Sequence, residues 1–218
     1  MTIKSVGIAL ALAVGIGVTS AALTPVGAQQ IEQFFCSVFL DNKKIGTFHV
    51  RMTRGATGDV EEMRTRASVS MVGVKFYEFS QDVTQTWKGG DLQDLHGRAD
   101  DHGTAYDITL DRGAESYSGT MNGKAVSVPI EAFPATLWHY GIVDHSLLFS
   151  EVDLKLLKVK IERVQEIVEL HGAKINAEKA HIVGDFNATV WFDDKKNFMK
   201  AETEMKGRTV KLVVDPEQ

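Results

Sequence analysis

The sequence predicts a mainly β protein: a single strongly curved antiparallel sheet, a half-barrel or barrel, with a short helical or loop segment near residues 130–145. Three observations carry this. Apolar residues recur mostly at every second position, the spacing of a strand with one buried face. Gly, Asn and Asp break the chain at short intervals, as in a meander of hairpins and unlike βαβ units. The pattern yields about a dozen strands in one domain, and an open flat sheet of that width would leave a face unburied.

The first strand is preceded by a segment of another kind. Lys4 supplies one positive charge, an apolar stretch runs from Val6 to about Val18, and small residues lead to Ala28. A basic start, a short apolar core and small residues at −3 and −1 make a secretory signal. Residues 1–28 therefore read as a signal peptide cleaved after Ala28, and 29–218 as a single β-rich domain, periplasmic or secreted. A retained anchor is the alternative, but the apolar core falls short of the roughly 20 residues a spanning helix needs, and Pro25 follows it closely. No transmembrane span is expected in the mature chain.

The strands follow in order. Phe34 to Leu40 is aromatic and β-branched, and Asp41-Asn42-Lys43-Lys44 ends it. Ile45 to Met52 alternates and pairs back as a hairpin; Arg54 to Asp59 breaks the chain again. Val60 to Met71 sets charged residues against Met63, Ala67 and Val69, so one face is wet. Val72 to Trp87 is richer in apolar groups, and Lys88-Gly89-Gly90-Asp91 turns it into Leu92 to His96. Asp100 to Gly103 is the next turn, leading to Ala105–Leu110 and then Ser116–Met121. Asn122-Gly123 is the strongest tight-turn signal, since a type I′ turn needs positive φ at both central residues.

Pro129 to Tyr140 departs from the alternation. It is bounded by prolines and rich in large apolar groups, and it reads as a loop or short helix crossing one end of the sheet. Strands are expected again over Val152–Val164, Ile167–His171, Ala180–Phe186 and Ala188–Phe192. A polar turn at Asp193–Asn197 precedes a closing hairpin of Phe198–Met205 and Thr209–Val214.

Composition excludes several classes. The one cysteine, Cys36, cannot form an intramolecular disulfide, and its aromatic neighbours make it a small buried hydrophobe. Without the signal the chain has 23 basic and 29 acidic residues, a net charge of −6. No basic cluster interleaves with aromatics, so no nucleic-acid partner is expected. There is no G-x-S-x-G elbow, no H-E-x-x-H, no haem-attachment motif and no phosphate loop, and no cofactor is implied.

The order of these pieces resembles the DUF6134 family of exported bacterial proteins of unknown function. The resemblance runs from Phe39 to about Val213. It rests on Phe39 to Gly46, Phe76-Tyr77-Glu78-Phe79, Thr86 to Leu92, Ala99 to Gly103 followed by Tyr106, and Pro134 to Trp138. Two positions depart from the pattern: Gln85 stands where an acidic residue is expected, and His139 where Asn is expected. The family supplies no catalytic mechanism. The wider group of exported β-rich proteins that it looks like includes curved sheets that carry lipids in the cell envelope.

Two groups of side chains could carry chemistry. His96, Asp101 and His102, with Asp100, are the weak metal candidates, although Asp-Asp-x-Gly is also ordinary turn chemistry. Phe76, Phe79, Trp87, Phe133, Trp138, His139 and Tyr140 are the candidate ligand-binding set: aromatic walls with an imidazole and a phenol to bond a polar end. The leading expectation is a non-catalytic binding or carrier protein for an apolar, possibly lipid-like molecule. The alternatives are a structural or assembly subunit with a cell-envelope protein partner, and a metal-assisted hydrolase.

Overall fold

The computed structural model describes residues 30–71, 74–205 and 207–216, with backbone alone at 71 and 74–76. The segment read as a signal peptide lies outside the described residues.

Alternation has the predicted outcome. Eight strands follow as an antiparallel meander: β1 (Gln30–Leu40), β2 (Lys43–Gly55), β3 (Gly58–Met71), β4 (Val74–Lys88), β5 (Asp91–Asp101), β6 (Thr104–Arg112), β7 (Ser116–Met121) and β8 (Lys124–Pro129). Two short strands, β9 (Phe133–Pro134) and β10 (Leu147–Phe149), flank a 3-10 turn at Tyr140–Asp144. A second meander then returns: β11 (Leu156–Leu170), β12 (Ala173–Gly184), β13 (Ala188–Asp193), β14 (Phe198–Met205) and β15 (Arg208–Val214). Asn122 and Gly123 have φ of 51° and 74°, as the tight β7–β8 turn requires.

All fifteen strands belong to one sheet, in the order β8-β7-β6-β5-β4-β3-β2-β1-β15-β14-β13-β12-β11-β10-β9. The two meanders join where the first strand pairs with the last, from Cys36 opposite Val214 to Leu40 opposite Val210. Ser37 Oγ donates to Asp215 Oδ1 at the same seam. The outermost strands, β8 and β9, are not bonded to each other, so the sheet stays open. Yet only residues 130–132 separate them in sequence. A connector that short spans at most about 14 Å, so the sheet is curled until its edges nearly meet. This is the predicted half-barrel, with a slit in place of closure. Register shifts at Val38/Phe39, Val69/Ser70, Thr86/Trp87 and Trp191/Phe192 add local bend.

Neighbouring strands also approach closely at several glycines, Gly46 and Gly119 among them. A Cβ on Gly46 would sit 2.1 Å from the Arg66 carbonyl oxygen of the neighbouring strand. Gly46→Ala should therefore prise β2 from β3 and cost about 2 kcal/mol in a urea titration; a loss below about 0.5 kcal/mol would contradict that approach.

The main core lies between the concave face and the chain that crosses it. Val50, Leu95, Ile108, Leu110, Ile182 and Phe192 point inward from the sheet, and Ile142, Leu148 and Phe149 meet them from the crossing segment. Cys36 is buried there too, and burial pushes its thiol pKa up, as befits an unreactive hydrophobe.

Several elements differ from expectation: β11 begins at Leu156 and β12 at Ala173, where strands were expected from Val152 and Ala180. The predicted break between Val164 and Ile167 does not exist: β11 runs unbroken to Leu170 and pairs with β12 through the turn at His171-Gly172. The polar run at Glu162–Glu166 marks a change of face instead. Up to Val159 the odd positions are buried in the main core, whereas Val168 packs with Ala177, Trp191 and Met199 in a second, smaller cluster. The parallel pairing of β10 with β9 was not expected either; two and three residues are too few to show alternation. Among the described residues, no helix is long and apolar enough to cross a membrane.

Candidate functional site

The segment after Pro129 enters the concave face and is fixed there by side chains. His139 Nδ1 accepts the Gly141 backbone N–H at 3.1 Å and so caps the 3-10 turn. That bond holds the imidazole flat against Trp87, with ring centroids 4.7 Å apart and planes 15° apart. Phe133 packs on Trp87 at 5.4 Å and on His145 at 4.5 Å. Trp138 meets His139 edge-on, and Phe34 of β1 closes on Trp138 at 5.9 Å. Aromatic pairs of this kind add roughly 0.5–1.5 kcal/mol each beyond area burial, so the segment is clamped to the sheet.

A buried polar chain runs behind the rings. Trp87 Nε1 donates to Gln85 Oε1 at 3.2 Å, and Gln85 Nε2 donates to Glu151 Oε1 at 2.5 Å. Gln85 is fully buried, so both ends of its amide need these partners. Glu151 lies between β10 and β11, half-buried, with its carboxyl against Thr136 and Gln85. Burial pushes its pKa up to about 7, with the bonds from Thr136 and Gln85 acting the other way. Glu61 of β3 is only 5% exposed and faces the same region. Burial, joined by the charges of Glu151 and Asp59, raises Glu61 to about 8 against the pull of Arg54 and the Trp87 N–H. Burial and the nearby Arg54 and His145 lower His139 to about 4. At neutral pH the site thus holds a neutral imidazole and a largely neutral acid, chemistry for hydrogen bonding more than for ion pairing.

Trp138 divides the trough into two hollows. On one side Val38, Phe48, Phe79, Val83 and Leu212 surround a predominantly apolar pocket of about 360 Å³, with the Glu151 and Gln81 side chains in its wall. On the other side a larger hollow of about 880 Å³ is bounded by Phe34, Glu61, Trp87, His139 and Phe198. Its rim carries the exposed Gly89, Gly90 and Lys195.

The sequence-derived ligand set is thus split. Trp87, Phe133, Trp138 and His139 come together as one stack. Phe79 faces the apolar pocket, and Trp138 borders both hollows. Tyr140 borders the larger hollow as well, while it packs edge-on against Phe192 at 5.1 Å and donates to Glu178. Phe76 lies in β4, with its side chain outside the described residues. The weak metal candidates do not converge. His96 and His102 are six residues apart along β5 and its turn, about 20 Å of extended chain. Asp100 Oδ1 accepts the Gly103 N–H at 2.6 Å, the expected turn bond. No group of three or more metal-capable side chains is assembled among the described residues.

Sequence reasoning missed Glu61, Gln85 and Glu151 as site residues. Glu61 was readable: it shares the inward parity of Met63 and Ala67, but the surrounding charges made the strand look wet on that side. A groove of about 490 Å³ on the outer face is a different matter, for it is occupied by ion pairs such as Arg51–Glu62, Arg64–Asp82 and Arg98–Asp107.

Comparison with known proteins agrees with the fold. The profile of the domain of unknown function DUF6134 matches residues 37–215. A solved structure, the crystal structure of a beta-barrel-like protein of the domain of unknown function DUF1849 from Brucella abortus, superposes with a TM-score of 0.63. That alignment covers 84% of this chain and 94% of the other at 7% identity, a likeness of fold alone. No curated protein matches the chain.

Proposed function

We propose, on the premise that the chain belongs to the DUF6134 family of domains of unknown function, that it is an exported, non-catalytic binding protein for an apolar, lipid-like ligand. The observation that carries this reading is the apolar pocket between Phe79 and Trp138. Its volume falls within the roughly 300–1,000 Å³ of small-molecule sites, and its walls are apolar with a few polar groups, as such sites are. The crossing segment gives it a roof, and the slit between β8 and β9 leaves the curled sheet without a bonded seam. Export rests on the residue 1–28 pattern, and the periplasm is the proposed location.

The test is uptake. Mature protein purified without detergent should carry co-purifying apolar molecules in native mass spectrometry and should bind a fluorescent fatty-acyl probe. Phe79→Arg places a charge at the half-buried wall of the pocket and should weaken that probe at least tenfold while leaving the fold intact. Wild-type protein with a clean apo mass and no probe uptake would sink the reading.

A further inference from the structure

The larger hollow contains a polar group that the apolar pocket does not use. Glu61 Oε2 is enclosed and has no hydrogen-bond partner among the described residues. An enclosed polar atom left unpaired is costly, and such atoms are rare enough to need a reason. We propose that this hollow is a second binding site, for a ligand that presents an oxygen acceptor, a carbonyl or carboxylate oxygen, to the Glu61 carboxyl, which lines it.

The direction of the bond follows from the neighbours. His139 Nδ1 is taken by the Gly141 N–H, so the neutral ring carries its proton on Nε2. That nitrogen lies 3.8 Å from Glu61 Oε1. Oε1 therefore faces the His139 donor, the Trp87 N–H also bears on the carboxyl, and Oε2, which has no partner, is left to carry the acid's own proton. The other charged groups around Glu61 keep the proton there. Arg54 from β2 is committed to Glu32 at 3.2 Å and to Asp59 at 3.3 Å. Glu151, on the return from the crossing segment, and Asp59 both disfavour a second negative charge. A carboxyl enclosed without its own cation stays neutral, and the result is an O–H donor in the wall of a hollow.

The walls set the remainder of the ligand. Phe34, Trp138 and Phe198 offer apolar and aromatic surface beside Glu61, and Lys195 and Lys196 lie at the rim. An aryl or alkyl carboxylate, or a neutral carbonyl compound, meets all of these, whereas an ammonium group would set its donors against the donor of Glu61.

Benzoate, benzamide and benzylamine are suitable probes on the whole mature protein, followed by calorimetry and by NMR of the Trp87 indole N–H. Benzoate or benzamide should bind at pH 6.5 and shift that resonance, and benzylamine should not. Binding of benzoate alone identifies a carboxylate ligand; binding of benzamide identifies a carbonyl. The affinity should fall at least tenfold by pH 9.5, above the value of about 8 at which Glu61 gives up its proton. Glu61→Gln keeps an amide donor in place and should bind without that pH dependence; Glu61→Leu should not bind. Phe79→Arg, which blocks the apolar pocket, should leave these probes unaffected, so the two sites succeed or fail separately. Preference for benzylamine, pH-independent binding by the wild type, undiminished binding by Glu61→Leu, or no binding of any probe would each overturn the proposal.

Discussion

The domain is expected to be most stable near pH 5, and between there and pH 9 Glu61 alone should cost it on the order of 4 kcal/mol. In the unfolded chain Glu61 loses its proton near 4.5, and in the folded protein near 8. Between those values the folded state holds a proton that the unfolded state has released, so each rise in pH favours unfolding. Below 4.5 both states are protonated and the penalty vanishes; above 8 it is fully present. Glu151 acts in the same direction, up to about 7. His139 acts oppositely: its folded value of about 4 lies below the ordinary 6.5, so stability is lost as pH falls through that range. Two carboxyls outweigh one imidazole where the windows overlap. Urea midpoints across pH 4–9 should show this descent, and Glu61→Gln should remove most of it, exceeding the wild type at pH 8–9. Parallel profiles for the two proteins would mean that Glu61 titrates normally.

Trp87→Ala should be the most damaging single change in the site, at about 4 kcal/mol, the upper range for deleting a buried aromatic. The indole is 4% exposed, is stacked on His139, touches Phe133 and supplies the donor for Gln85. Its loss opens a cavity and at the same time leaves the Gln85 carbonyl unpaired. Trp87→Phe keeps a ring but not the N–H and should cost about half as much. His139→Ala should be less harmful in the Trp87→Ala background than alone, since residues in contact are not additive. Additive losses in chemical denaturation would show that the crossing segment is not clamped through this pair.

Most of the sheet could be read from the sequence because alternation is a local property. Each of β1 to β7 contains residues of the strand expected for it, and the Asn122-Gly123 turn was read from two residues. The expected crossing at Pro129–Tyr140 was visible because large apolar groups there lose the period of two. What could not be read depends on distant partners. The change of buried face in β11 needs Trp191 and Met199 to be present, and nothing in residues 156–170 announces them. The site divides in the same way. The Trp87–Phe133–Trp138–His139 stack was foreseen as a set of aromatic residues. Glu61, Gln85 and Glu151 look like ordinary polar residues until the crossing segment covers them. Gln85 is instructive, since the resemblance led to the expectation of an acid there. The amide donates to Glu151 and accepts from Trp87, and a carboxylate would have confronted Glu151 directly.

The pairing of β1 with β15 also governs how the chain acquires its structure. The middle of the sheet is made by residues from opposite ends of the sequence, as the Ser37–Asp215 bond across a separation of 178 positions illustrates. Each meander can form hairpins by itself, but β1 keeps a bare edge until the final strand arrives. Contacts so far apart make folding slow, in the range of milliseconds to seconds or longer for β proteins. A nascent chain with this topology has a late keystone: it stays threadable for as long as its last dozen residues are withheld. The same topology makes loss of the C-terminal strand more harmful than loss of β8 at the sheet's margin.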